Sequence, residues 1–343
     1  MTGAKTTDHR PNLHSVRKWF LVGVSVAGVF VLQPASAVRN LVIWLPALSL
    51  LFTIGVWFVA FSWRDRRPTT IIVAGLLALL VVLKSDPATL ALSRMVRAIN
   101  GQDVTLAAVS DLSWIGFSYI VFRLIHVLRD VGSPRMPVFT LPEFITYVLF
   151  TPTLIAGPID RGERFIKDLR ADWRPNWPDI GAGMQRLVVG AFKKFVLADA
   201  LALVALNGQN AFEVRGSGWM WLLVLAFAAR IYFDFSGYTD MALGLARWFG
   251  IYPPENFAAP YLKPNITQFW NSWHMSLSAW FRTYWFNPVL RALRARKLPM
   301  WTIVGICHLS TMVLIGLWHG VTANFVIWGA WHAVGLFAHN RWT

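Results

Sequence analysis

The sequence predicts an all-α, polytopic integral membrane protein, and three observations carry that expectation. Of its 343 residues, 56% are hydrophobic and only 14% charged, and the mean hydropathy is +0.48. Several apolar runs approach the roughly 20 helical residues needed to cross a hydrocarbon core of about 30 Å. In that core every backbone N–H and C=O must be bonded internally, which selects helices over open sheet. The net charge of +15 sits in short clusters between apolar runs instead of along one polar face. It therefore reads as membrane topology, not as a nucleic-acid footprint.

Taken in order, apolar spans are expected near 19–36, 41–63, 69–84, 104–128, 138–157, 186–206, 217–236, 300–318 and 323–339. Lys5, Arg10, Arg17 and Lys18 precede the first, Arg64, Arg66 and Arg67 follow the second, and Arg129 and Arg135 follow the fourth. This alternation places the N-terminus in the cytoplasm, with 1–18 a cytoplasmic tail, although Arg94 and Arg97 would then face outward. Gln33 and Pro34 lead into a second span, so the first run is not a cleaved signal. The fourth run contains Asp111, Arg123 and His126, which should line an interior and not face lipid. No composition shift or internal repeat divides the chain, so 1–343 reads as one membrane domain.

Four polar stretches interrupt this pattern: 151–170 with Asp160, Arg161, Glu163 and Arg164; 190–199 with Lys193, Lys194 and Asp199; 232–247 with Asp234 and Asp240; and 253–282. Acids at span ends and snorkelling lysines account for the charged groups structurally, and a proton or ion path is the functional alternative. In the last stretch, Pro264, Asn265 and Thr267 offer helix-start chemistry. A helix running on from there puts Trp270, Trp273, His274, Leu277, Trp280, Phe281 and Tyr284 on one face. On wheel position alone, His274 fits a core histidine bonded to a backbone carbonyl better than a catalytic group. His319 stands between two apolar runs, flanked by Gly316 and Gly320, which permit a helix break and close backbone approach. It suits a cavity and an interfacial loop equally well. A neutral imidazole can take a proton from a hydroxyl as that oxygen attacks a thioester carbonyl. The single Cys307 excludes an intrachain disulfide and a Cys-based zinc site, and no H-x-x-x-H, HExxH or G-x-S-x-G spacing occurs, so no metal site or serine hydrolase is expected.

The segments at 116–130, 149–169, 190–199, 232–251, 253–282 (PPENFAAPYLKPNITQFWNSWHMSLSAWFR) and 316–320 (GLWHG) together resemble the membrane-bound O-acyltransferase family. GPIDR and the PENF to FWNSWHMSLSAWFR stretch are most similar to the branch that transfers D-alanine to teichoic acid, with the polysaccharide O-acetylases a near branch. The resemblance implies a multi-helix ring of roughly 9–11 membrane helices around a central tunnel, with a motif-bearing core at 116–339. It implies His319 as catalytic base and His274 as its second motif histidine, with Arg282, Trp273, Trp318 and Asn324 as lesser substrate-binding candidates. No bound cofactor is implied. The co-substrate would be a thioester donor, either an acyl carrier protein or acyl-CoA, arriving from the cytoplasm. The acceptor would be an envelope polymer, with an extracytoplasmic acyltransferase as a further partner. The setting would be the cell membrane, with no nucleic acid involved. Thr283 stands where that branch carries Asp, and the chain ends at Thr343 where relatives continue with further transmembrane helices. A proton-coupled transporter and a non-catalytic scaffold recruiting a carrier are the competing classes.

Overall fold

The computed structural model describes residues 13–34, 36–62 and 67–342. Lys5, Arg10, Arg64 and Arg66, used in the topology argument, lie outside the described residues. The chain is 75% helical, and among the described residues the only strand-like pairing is one bridge between Phe257 and Trp273. The first half contains α1 (Leu13–Val31), α2 (Leu41–Trp57), α3 (Arg67–Lys84), α4 (Asp86–Ile99), α5 (Phe117–Asp130), α6 (Leu141–Val148), α7 (Gly162–Arg170) and α8 (Trp177–Phe192). The second half contains α9 (Asp199–Ala202), α10 (Asn210–Glu213), α11 (Ser217–Trp248), α12 (Ile266–Trp270), α13 (Met275–Phe281), α14 (Asn287–Arg294), α15 (Met300–His319) and α16 (Ala323–Trp342).

Among the described residues, three helices are long and apolar enough to cross a membrane: Leu41–Ser62, in which α2 continues into a π-helical turn, then α11 and α15. A fourth crossing is made if α3 and α4, bent by 94° at Ser85, count as one broken span. That is fewer than the nine runs expected; the first and last runs do form helices of 19 and 20 residues, α1 and α16, and three others depart for physical reasons. The run at 104–128 folds as two short 3-10 turns followed by the 14-residue α5, which is buried from Tyr119 to Leu128 without interruption. A helix covered on all faces reads in sequence like one bathed in lipid. The run at 138–157 holds only the eight-residue α6, and that at 186–206 passes from α8 into a π-helix at Lys193–Ala198.

The charges of the fourth run face inward as expected. Arg123 is fully buried and donates to the carbonyls of Val148 and Thr153, at 2.7 and 2.9 Å, and to Thr153 Oγ1 at 2.6 Å. Asp111 accepts from Arg97 Nε at 2.7 Å and from Ser93 Oγ at 2.7 Å, all three residues being buried. Arg97 is thus neutralised in place and drops out of the outward-facing charge, leaving Arg94.

The two ends of the bundle differ. At one end, where α1 begins, Arg17 donates to the carbonyls of Asp168, Ala171, Phe249 and Gly250, and Lys18 and Arg170 both pair with Glu143. This is a basic rim. The other end carries Lys84, the Arg97–Asp111 pair and Gln33, which is bonded in both directions to Ile115. Close helix packing holds the frame. Gly183 and Gly190 of α8 face Gly244 and Gly237 of α11, where an added Cβ would stand 2.5–2.8 Å from a facing carbonyl oxygen. Small residues at such crossings let backbones approach without any hydrophobic drive from lipid.

Candidate active site

The continuous helix expected from Asn265 to Tyr284 does not form. Asn265 caps α12 as predicted, its Oδ1 accepting from Gln268 N at 2.9 Å, but the helix stops at Trp270 and α13 starts at Met275. A distant segment takes the backbone bonds. Ala258 N donates to Ser272 O, Met275 N donates to Asn256 O at 3.0 Å, and Phe257 bridges Trp273. The Asn256 side chain continues the lacing. Its Oδ1 accepts from Ser276 Oγ at 2.6 Å, and Ser276 Oγ accepts from Ile159 N at 2.9 Å. Two of the polar stretches, 151–170 and 253–282, therefore meet, and His274 sits at their junction with φ 43° and ψ 55°. A non-glycine residue held in that left-handed region is strained, and such strain persists only where the surroundings over-determine it.

His274 is 3% exposed, its ring edge-on to Phe235 at 4.7 Å and 6.0 Å from the Trp318 ring. The carbonyl-bonded core histidine is not what forms, because His274 Nε2 is buried with no hydrogen-bond partner among the described residues. Trp318 Nε1 and Asn256 Nδ2 share that condition. Buried donors left unmade cost about 1–3 kcal/mol each. Burial lowers the His274 pKa to about 3, with the nearby His319 acting in the same direction, and the ring is neutral at working pH.

His319 closes α15, and Gly320 continues in extended backbone before α16 begins, giving the break expected from its glycine neighbours. Its ring stacks on Phe325 at 5.7 Å, meets Trp328 edge-on at 5.6 Å and lies 4.6 Å from Trp318. Unlike His274 it is exposed. The Trp318 ring therefore stands between an accessible imidazole and a buried one.

The lesser candidates scatter. Trp318 lies between the histidines, but Trp273 packs into a separate aromatic cluster with Tyr232, Phe257, Tyr261 and Phe269. Arg282 is not brought to the pair. It donates to Asn271 Oδ1 at 2.8 Å and lines a different cavity of about 150 Å³ with Ser278, His308 and Thr311. Thr283, the departure from the branch pattern, accepts from Arg161 Nη2 at 2.9 Å. Asn324 is exposed near the start of α16, one residue before Phe325. Lys193 pairs with Asp240 and Lys194 with Asp234 between the π-helix that follows α8 and α11. These pairs give the intramembrane charges a structural role.

Sequence reasoning passed over a cavity of about 310 Å³ on the basic-rim side, where His126, Asp160, Arg161, Arg164, Glu255 and Tyr284 join apolar groups such as Ile159, Trp280 and Met275, the neighbour of His274. His126 Nε2 accepts from Gly162 N at 2.9 Å, so in the neutral ring Nδ1 carries the proton toward the Tyr284 hydroxyl, which in turn donates to Asp130 Oδ2 at 2.6 Å. Asp160 is buried, which pushes its carboxyl up to about 6 against the pull of Arg164. The GPIDRGER charges hinted at this cavity, but nothing in the sequence pairs them with His126 or Tyr284. Asn256 was visible only as one polar residue in PENF.

Comparison with known proteins gives concordant matches. The family model for MBOAT, the membrane-bound O-acyltransferase family, matches residues 42–343. A teichoic acid D-alanyltransferase of Streptococcus thermophilus is 31% identical over 313 residues, covering 86% of this chain and 71% of that protein. A probable alginate O-acetylase of Pseudomonas syringae pv. tomato is 39% identical over 225 residues, 65% of this chain and 42% of that protein. A peptidoglycan O-acetyltransferase of Helicobacter pylori is 35% identical over 218 residues, 62% of this chain and 40% of that protein. The matches span about two fifths of the length of the two O-acetyl-transferring relatives.

Proposed function

This chain belongs to the membrane-bound O-acyltransferase family, and from that premise we propose that it moves a small acyl group, D-alanyl or acetyl, from a thioester donor to a hydroxyl of an envelope polymer. The observation that carries this reading is the pairing of an accessible His319 with a buried, strained His274 across the Trp318 ring, beside buried donors that have no partner among the described residues.

In this reading neutral His319 takes the proton of the acceptor hydroxyl while its oxygen adds to the thioester carbonyl, forming a C–O bond and a tetrahedral oxyanion. Collapse of that intermediate breaks the C–S bond, and the thiolate leaves with the proton returned by the imidazolium. His274 and Trp318 offer N–H groups that orient the acceptor or meet the developing charge. In the same reading the donor, an acyl carrier protein or acyl-CoA, approaches from the basic end through the rim cavity beside Met275, where Arg161 and Arg164 stand, and the acceptor comes from the opposite end. By the preference of basic residues for the cytoplasmic face, the rim and the N-terminus are cytoplasmic and the chain sits in the cell membrane.

His319→Ala tests the assignment. Loss of a general base lowers transfer by about 10²- to 10⁴-fold, while the detergent-solubilised protein keeps its unfolding transition. Undiminished transfer to polymer by that variant removes His319 from the mechanism.

A further inference from the structure

Lys84 ends α3 at the sharp bend into α4, and its carbonyl accepts from Val321 N at 3.0 Å, which ties it to the turn that follows His319. Its ammonium lies over the Trp318 ring, 5.8 Å from the centroid, on the same indole that borders His319 at 4.6 Å. No carboxylate pairs with it among the described residues. Four other cations drawn into the bundle have found oxygen. Arg97 has Asp111, Arg123 has Val148 and Thr153, and Lys193 and Lys194 have Asp240 and Asp234. A half-buried ammonium facing only a π surface keeps most of its capacity for an anion, and a charge-assisted bond in such a place is strong.

The position specifies the ligand further. Lys84 lies at the end of the bundle away from the basic rim, beside the proposed base and on the side from which the acceptor arrives. We propose that Lys84 binds the anionic group of the acceptor, a phosphodiester or a carboxylate a few bonds from the reacting hydroxyl, and so holds that hydroxyl against His319. This rests on the acyl-transfer reading and deepens it. The acceptor is a polyanion, and Lys84 is a specificity residue that acts through the substrate's charge and not on the carbonyl.

The test uses the whole protein in phosphatidylcholine vesicles with a thioester donor and three acceptors of equal length: a glycerol phosphate oligomer, a uronate oligomer and a neutral glucose oligomer. The preference in kcat/KM for an anionic over the neutral acceptor should fall at least tenfold in Lys84→Gln, through KM, and return in Lys84→Arg. The anionic acceptor that shows this change identifies the group bound. Equal loss with all three acceptors, as a purely structural lysine or one holding a lipid phosphate would give, overturns the proposal, and so does an unchanged preference. Equilibrium binding of the same oligomers without donor separates this inference from the reaction. A wild-type protein that transfers nothing yet binds the anionic oligomer through Lys84 defeats the acyl-transfer reading alone, whereas charge-independent binding defeats the role of Lys84.

Discussion

Gly316 offers the sharpest probe of how the site is held. It lies three residues before His319 on the face of α15 that meets α16, and an added Cβ would stand 2.2 Å from the Phe325 carbonyl oxygen and 3.0 Å from its carbon. Contacts below 3.0 Å to a Cβ are not tolerated, and backbone, unlike the end of a flexible side chain, cannot swing away. In Gly316→Ala the two helices must therefore part by about 0.8 Å, the shortfall between 2.2 and 3.0 Å. The part of α16 that shifts carries Phe325 and Trp328, the two rings that seat His319. A displacement of about 1 Å in a reacting group costs on the order of 10² in rate. Stability moves much less, since replacing glycine within a helix gains about 0.5–1 kcal/mol against roughly 1–3 kcal/mol for overpacking. The assay is kcat for acyl transfer at saturating donor, paired with thermal unfolding in detergent. A fall of about a hundredfold with the unfolding transition retained is expected. Gly75→Ala, where nothing lies within 4 Å of the new Cβ, serves as the control and should transfer normally. If Gly316→Ala transfers at the wild-type rate, α16 does not set the position of His319.

Two further outcomes follow from the same geometry. Arg97→Ala leaves the Asp111 carboxylate with only Ser93 and the Ala108 amide, and should lower stability in denaturant unfolding. Replacing the pair together, by Arg97→Met with Asp111→Leu, should recover most of that loss, and a double variant no more stable than the single one argues against a neutralised pair. At the rim, burial raises the Asp179 pKa, but bonds from Asn176, Arg247, Tyr252 and Trp173 outweigh it and hold the carboxyl at about 2, below its ordinary 3.8. The folded state then binds this proton less readily than the unfolded one, so the stabilisation is full above pH 4 and is lost as pH falls toward 2. Asp179→Asn should flatten that acid limb in thermal midpoints measured from pH 2 to 5, and an unchanged limb would assign the acid sensitivity to other carboxylates.

The membrane class and the break at His319 were legible in the sequence because both are local. Composition states how much apolar surface must be hidden, and Gly316 and Gly320 state where a helix may end. The fourth run shows the limit of that logic. Phe117 to Asp130 is apolar enough to face lipid, yet it is wrapped by protein, and only Arg123 and His126 within it signalled an interior. The wheel through His274 failed for a different reason. Residues 272–276 could have continued a helix, but the backbone of 256–258 offered better-placed partners, and no periodicity within the segment reports a competitor lying elsewhere in the chain. Lys84 was hidden for a third reason. At the end of an apolar run it reads as a snorkelling lysine, and only the bend at Ser85 and the contact with Val321 turn it back toward Trp318.

The contrast between the two histidines is itself informative about how the site is organised. A base that must meet an acceptor from outside has to be accessible, and His319 is set at a helix end by two aromatic rings and a turn, where exposure costs little. A group that must act without reorganising is better fixed before substrate arrives, and His274 is fixed at the expense of its backbone. Its left-handed conformation costs of order 1–3 kcal/mol and persists because Phe257 and Ala258 hold the flank before it while Asn256 laces Met275 and Ser276 after it. Asn256→Ala removes the lacing of Ser276 while keeping His274 in the sequence, so its effect on transfer, relative to its effect on unfolding, separates a histidine held for chemistry from one held for packing. A loss of transfer well beyond the loss of stability supports the first, and losses that track one another support the second.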